Sequence, residues 1–292
     1  MKIGFIGLGI MGKPMAKNLI KTGHQLVVFD INEESVRELE NEGALAVSSA
    51  KEVAEESSVI ITMLPNSPHV KKAVCEENGV LEGAKSGSIL IDMSSIAPTA
   101  SQEIAHACLA KGVKMLDAPV SGGEPKAVDG TLSIMVGGQK EDFEANKELL
   151  LCMGASAVYC GAVGAGNTTK LANQIIVALN IAAVAEAFTL ASKSGVDPQL
   201  VFEAICGGLA GSTVMNAKIQ MMIKKNYKPG FKVDLHVKDL LNAMDTADKT
   251  KIPLPLTEQV MKMLQDLQEN GFGSDDHSAL ARYYEKISGT SI

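Results

Sequence analysis

Lys170 and Asn173 stand three residues apart in the stretch GAGNTTKLANQ (164–174). If the stretch is helical, positions i and i+3 share a face. They lie in the first two turns beyond a predicted domain boundary, and a cleft between domains is where ligands commonly sit. The surroundings are small and apolar, and an unpaired ammonium is costly in such a place. The plainer reading is a surface lysine snorkelling from a helix start. Ser121, Gly122 and Gly123 in APVSGG offer a hydroxyl and freely oriented backbone N–H groups. That set suits a small anion or a carboxylate; an ordinary glycine-rich turn is the alternative. Farther on, HVKDL places Lys238 beside Asp239, a pair that more often marks a solvated helix face.

The strongest pattern opens the chain. Gly7, Leu8, Gly9, Ile10, Met11 and Gly12 spell G-x-G-x-x-G directly after the strand-like KIGFI and before the helical KPMAKNLIKTG. The first glycine permits a tight turn, the second lets the backbone approach a pyrophosphate, and the third lets helix and strand pack closely. The helix N-terminus then faces the phosphates. Asp30 follows eighteen residues after Gly12, at the end of the second strand-like run. A carboxylate there accepts hydrogen bonds from ribose hydroxyls and repels a 2′-phosphate. Ile31 follows it where an arginine could have held that phosphate. NAD is therefore favoured over NADP, which is not excluded. Met63-Leu64 and Ser94-Ser95-Ile96 fall at the C-terminal ends of two further strand-like runs, where ligands bind in such sheets.

These residues need a frame. The runs LVVFD (26–30), VIITML (59–64), SILIDM (88–93) and VKMLDAPV (113–120) alternate with helical stretches such as 13–22, 33–42 and 99–110. Near-continuous apolar strands between amphipathic helices predict a doubly wound α/β sheet covered on both faces. TLSIMVGG (131–138) and SAVYCG (156–161) close this part. The segment 171–192 is almost wholly small or apolar, long enough to span a bilayer by length alone. Asn173, Gln174, Asn180 and Glu186 interrupt it, which favours a buried helix of an all-α domain. Asp197 and Pro198 read as a helix cap and first turn. We expect a Rossmann-type domain over 1–163 and an all-helical domain over 164–292 that begins with a long helix.

Composition removes other classes. The 292 residues carry 27 basic against 34 acidic side chains, a net charge of −7, and aromatics make up only 4%. A nucleic-acid or anionic-membrane surface would need a basic face, and base stacking would need aromatics. Five cysteines without a CxxC pair fit a reducing compartment. With no secretory leader legible at the N-terminus, we expect a cytoplasmic protein. The triplet Asp275-Asp276-His277 reads as a solvated turn or helix start rather than a metal site.

The motifs GFIGLGIMGKPMAKNL, DAPVSGG, GAGNTTKLANQ and KDLLNAMD (238–245) occur in this order. Together they resemble the β-hydroxyacid dehydrogenase family over essentially the whole chain. The resemblance implies that Gly7 to Gly12 hold the pyrophosphate and that Met63, Leu64 and Ser95 line the dinucleotide. Ser121, Gly122 and Gly123 would bind a substrate carboxylate, with Asn173 orienting the substrate. Lys170 would be the catalytic lysine, its pKa lowered by burial in an interdomain cleft, and Lys238 would reach the cofactor. The stretch GGLAGSTVM (207–215) points, by resemblance, to reduction of tartronate semialdehyde (2-hydroxy-3-oxopropionate) to glycerate. Oxidation of 3-hydroxyisobutyrate and reduction of glyoxylate or succinic semialdehyde are the alternatives. A non-catalytic dinucleotide-binding protein would not need Lys170, Asn173 and the VSGG turn together. The family also implies a homodimer or homotetramer. Many relatives carry Asn-Arg or Asp-Arg where this chain has Asp30-Ile31, so cofactor choice rests on the local argument alone.

Overall fold

The structure is a computed structural model that describes residues 2–292. The chain divides into two compact units, Met1–Lys170 and Leu171–Ile292, and the division lies inside one long helix.

The first unit is a nine-stranded sheet flanked by helices. Its strands are β1 (Lys2–Ile6), β2 (Gln25–Phe29), β3 (Leu45–Ala46), β4 (Val59–Thr62), β5 (Ile89–Asp92), β6 (Lys114–Asp117), β7 (Val120–Ser121), β8 (Leu132–Gly137) and β9 (Gly154–Gly161). The order is β3-β2-β1-β4-β5-β6-β8-β7, with β9 also paired to β8. From β3 to β6 every pairing is parallel. The order reverses between β1 and β4, and the loops at the C-terminal ends of such strands form the ligand crevice of this architecture. Helices α1 (Gly12–Lys21), α2 (Glu33–Asn41), α3 (Ala50–Glu56), α4 (Ser67–Cys75), α5 (Val80–Gly83), α6 (Pro98–Ala110), α7 (Gly123–Asp129) and α8 (Lys140–Leu151) complete the unit.

The central strands β1, β2, β4 and β5 are buried on both faces because they have almost no polar side. Ile3, Phe5, Leu26, Val28, Ile61 and Ile91 enter one apolar cluster. Their chain neighbours Ile6, Val27, Ile60 and Leu90 enter a second. Side chains alternate across a strand, so two clusters separated by this alternation are the two faces of one sheet. Burying a side chain of this size contributes roughly 1.5–3 kcal/mol.

Two elements depart from the sequence reading. The run 113–120 is two strands. β6 pairs in parallel with β5, whereas β7 pairs antiparallel with β8, Val120 opposite Ile134. Pro119 stands between them with no N–H for a ladder, and the chain changes direction there. The far edge is accordingly mixed rather than purely parallel. β3 was not legible as a strand, since two residues show no periodicity.

The second unit is helical: α9 (Ala165–Lys193, whose start lies in the first unit), α10 (Pro198–Ile205), α11 (Thr213–Ile223), α12 (Val233–Thr250), α13 (Pro255–Glu269), a 3-10 turn (His277–Leu280) and α14 (Ala281–Ser288). Asp197 caps α10, accepting from Gln199 N–H at 2.8 Å, and Pro198 opens the helix as expected. Ser212 caps α11 in the same way through Met215 N–H. The core gathers Ala178, Ile181, Ala185 and Phe188 of α9 with Ile219, Leu240 and Leu264. α9 is long and apolar enough to cross a membrane by length and composition, and within this chain only one of its faces is covered. Ile176 and Leu190 remain 60% and 70% exposed, so the expectation of a wholly buried helix is corrected to a half-buried one.

Candidate active site

The glycine turn follows β1 directly. Gly7 has φ 98°, a left-handed backbone, and a Cβ there would collide with the Met63 carbonyl. At Gly12 a Cβ would collide with the Gly7 carbonyl, so α1 starts hard against the turn. Around Gly9 no atom lies within 4 Å of where a Cβ would stand. Two glycines are thus required by the protein's own packing, and one leaves an open cradle beside a helix start. No side chain caps α1, so its first N–H groups, which lack intrahelical partners, are available to a phosphate. This arrangement fits a dinucleotide pyrophosphate.

Asp30 lies at the end of β2 and is tied to the same turn. One of its oxygens accepts from Leu8 N–H and the other from Asn32 N–H at 2.7 Å. Each carboxylate oxygen has two lone pairs, so capacity for ribose hydroxyls remains. Ile31 is 93% exposed beside it.

The loops after β4 and β5 are linked. Ser94 Oγ accepts from Leu64 N–H at 2.8 Å, and Ser94 N–H donates to Asp92 Oδ1 at 3.2 Å. Met63 N–H is bound to the Ile6 carbonyl at 2.9 Å. Met63, Leu64 and Ser95 are therefore held on adjoining loops at the crevice end of the sheet.

Two acids at neighbouring strand ends were not among the residues singled out from sequence. Asp92 and Asp117 lie opposite each other in the β5–β6 register, and both are fully buried. Burial pushes each carboxyl up to about 6, against the pull of their hydrogen bonds. Asp92 Oδ1 accepts from Thr62 Oγ1 at 2.8 Å. Asp117 accepts from Gly164 N–H and Asn167 N–H, each at 2.8 Å, at the start of α9. The signal available was an acid closing an apolar run, in LIDM and in MLDA.

The turn after β7 has the backbone of a tight glycine turn. Gly122 and Gly123 have φ 140° and 70°, backbone that L side chains rarely adopt. Ser121 is half-buried at the end of β7. Lys170 lies in the second turn of α9 and is only 5% exposed, which sets aside the reading of a snorkelling surface lysine.

The remaining expected residues, Asn173 and Lys238, lie half-buried in the second unit, joined to a polar chain whose middle is buried. Asn173 Nδ2 donates to Gln174 Oε1 at 2.9 Å. Gln174 Nε2 donates to Asp239 Oδ2 at 2.6 Å, and Asp239 Oδ1 pairs with Lys238 Nζ at 2.9 Å. The Lys238-Asp239 pair is thus no solvated helix face: Asp239 is buried. His236 Nε2 stands 3.1 Å from the Gln174 carbonyl, and His236 Nδ1 stands 2.9 Å from His277 Nδ1. A carbonyl only accepts, so Nε2 of His236 carries hydrogen and the two Nδ1 atoms share a single proton. Asp276, expected in a solvated turn, is fully buried. It caps the 3-10 turn through Ser278 N–H and binds Lys218 Nζ at 2.9 Å. Among the described residues, no group of three or more His, Cys, Asp or Glu side chains could hold a metal ion.

Comparison with known proteins agrees with this geometry. Residues 2–161 match the family model for the NAD binding domain of 6-phosphogluconate dehydrogenase. Residues 164–284 match the model for NAD-binding of NADP-dependent 3-hydroxyisobutyrate dehydrogenase. The chain is 45% identical to 2-hydroxy-3-oxopropionate reductase of Escherichia coli, over 98% of this chain and 97% of that protein. It is 40% identical to mitochondrial 3-hydroxyisobutyrate dehydrogenase of Mus musculus, over 96% and 86%. The structure of Mycobacterium tuberculosis 3-hydroxyisobutyrate dehydrogenase with L-serine superposes with a TM-score of 0.90 at 32% identity, covering 96% of this chain and 98% of that one. With both units matched and the glycine turn, strand-end loops and buried lysine in place, the chain belongs to the β-hydroxyacid dehydrogenase family of NAD(P)-dependent oxidoreductases.

Proposed function

We propose that the chain reduces tartronate semialdehyde to glycerate with NADH and that Lys170 is the general acid. The observation that carries the chemistry is the burial of this ammonium on α9. The bound nicotinamide supplies the hydride. Lys170 donates a hydrogen bond, and then its proton, to the carbonyl oxygen on which charge develops. The Ser121–Gly123 turn holds the substrate carboxylate with its hydroxyl and N–H groups, so the small molecule is anchored at one end. Asn173 orients the substrate, and Lys238, braced by Asp239, serves the dinucleotide. The substrate choice is supported by the 45% identity to 2-hydroxy-3-oxopropionate reductase. The 40% identity to 3-hydroxyisobutyrate dehydrogenase supports methylmalonate semialdehyde as the second reading. The preference for NADH is supported by Asp30 and by the absence of a basic residue at Ile31. A homodimer or homotetramer is supported by the uncovered apolar face of α9.

The test is NADH oxidation by purified protein with tartronate semialdehyde, beside NADPH and methylmalonate semialdehyde. Fast turnover with NADH and tartronate semialdehyde is expected. Lys170→Ala should lose turnover by at least about a hundredfold, in the range ascribed to general acids, and keep its affinity for NADH. Near wild-type activity in that variant would remove Lys170 from the role.

A further inference from the structure

We propose that Asn167 and Asp117 are positioning residues for the reaction: they fix the first turn of α9, and with it Lys170, against the loop that follows β5. The proposal rests on the reading of Lys170 as the acid. Lys170 lies three residues beyond Asn167 on the same helix, so the two share a face. The opening turn of a helix is its weakest part, because its N–H groups have no partners within the helix. An acid carried on the next turn is poorly placed unless something outside the helix holds the first. A displacement of about 1 Å in a catalytic group can cost about a hundredfold in rate.

Here the turn is held from three directions. Asp117 reaches in from the end of β6, and its two oxygens accept from Gly164 and Asn167 N–H, each at 2.8 Å. This is a helix cap supplied from another element, and its negative charge suits the positive end of the helix dipole. The backbone at Gly166 lies directly on the sheet: a Cβ there would stand 2.5 Å from the carbonyl oxygens of both Asp117 and Met135. The third hold is the Asn167 side chain, which is fully buried. Its Oδ1 accepts from Ile96 N–H at 3.0 Å, and its Nδ2 donates to Ser101 Oγ at 3.1 Å. Ile96 belongs to the loop that also carries Ser95, and Ser94 of that loop is bonded to Leu64 N–H. The turn that leads into Lys170 and both strand-end loops of the dinucleotide crevice therefore belong to one hydrogen-bonded assembly. The carboxamide suits this role because it accepts on one side and donates on the other. A leucine of similar size would do neither.

The experiment compares Asn167→Leu, Asn167→Asp, Asp117→Asn and Lys170→Ala in the full chain. It measures kcat and KM for the semialdehyde, NADH affinity by fluorescence, and thermal midpoint. In ligand-free protein, pH-dependent acetylation of Lys170 with trace acetic anhydride, followed by mass spectrometry, reports its pKa. Asn167→Leu should lower kcat by about a hundredfold at temperatures where it is fully folded. Asn167→Asp keeps the acceptor for Ile96, so it should recover much of kcat. It also sets a carboxylate on the face of Lys170, which should move the acetylation profile to higher pH. Asp117→Asn should lower kcat as well. A merely structural role would lower the thermal midpoint and leave kcat unmoved at temperatures where the variants are folded. A folded Asn167→Leu with wild-type kcat, beside an inactive Lys170→Ala, would overturn the proposal. If Asn167→Leu does not fold, a folded Asp117→Asn with wild-type kcat overturns it instead. An active Lys170→Ala would overturn the underlying reading of the acid.

Discussion

Asp276→Asn should destabilise the protein far more than an ordinary polar substitution. The carboxylate is fully buried and is met by four donor groups: Lys218 Nζ, and the N–H groups of Ser278, Gly230 and Phe231. These donors come from α11, the loop before α12 and the 3-10 turn, so one side chain joins three segments of the helical unit. Burial alone would raise the carboxyl. His277, Lys218 and the Ser278 N–H outweigh it and hold the group at about 2, against its usual 3.8. A depression of that size corresponds to about 2 kcal/mol of stability, at 1.36 kcal/mol per pKa unit. This contribution is fully present above pH 3.8 and is lost as pH falls through about 2. An asparagine keeps one acceptor and turns an NH₂ toward groups that are themselves donors, leaving the half-buried Lys218 charge without its partner. Removing one member of a buried pair costs roughly 3–5 kcal/mol, and that is the loss expected near neutral pH. Urea denaturation followed by far-UV circular dichroism at neutral pH measures it. Repeating the measurement toward acid pH should show the gap between wild type and variant narrowing, because only the wild type loses a carboxylate. A variant within about 1 kcal/mol of wild type at neutral pH, the usual scale of point mutations, would refute the reasoning. So would a gap that stays constant into acid.

The glycine turn separates packing from ligand space. Gly12→Ala should lower the thermal midpoint, because its methyl meets the Gly7 carbonyl, whereas Gly9→Ala should leave the midpoint alone. Gly9→Ala should still weaken NADH binding by about tenfold or more, since its methyl enters the space the pyrophosphate needs; equal NADH affinities for Gly9→Ala and wild type, read by fluorescence titration, would place the cofactor elsewhere. For cofactor choice, Asp30→Ser combined with Ile31→Arg should shift the ratio of kcat/KM toward NADPH, by removing a repelling charge and adding a bidentate donor. An unchanged ratio would show that these two positions do not read the 2′-phosphate.

What the sequence determined by itself was whatever depends on local spacing. Glycines at 7, 9 and 12 between an apolar strand and a helix, and an acid at Asp30, follow from backbone sterics and the length of a strand–helix–strand unit. The two faces of the sheet were legible because side chains alternate along a strand and nearly every position of the central strands was apolar. Lys170 and Asn173 could be placed on one helix by their spacing. Tertiary structure alone decided which polar groups are buried and what meets them. Lys238-Asp239 and Asp275-Asp276-His277 look like solvated surface in sequence, because burial of a polar group depends on segments far away in the chain. Asp276 takes its donors from Lys218, Gly230 and Phe231 as well as from its neighbour Ser278. Asp117 takes its donors from Gly164 and Asn167, about fifty residues away. No periodicity reports such pairings, since they exist only once the sheet has brought β5, β6 and the start of α9 together. The exposed face of α9 is the converse case. Its Ile176 and Leu190 are as apolar as residues in the core, and only the packed helices show which side chains the chain covers.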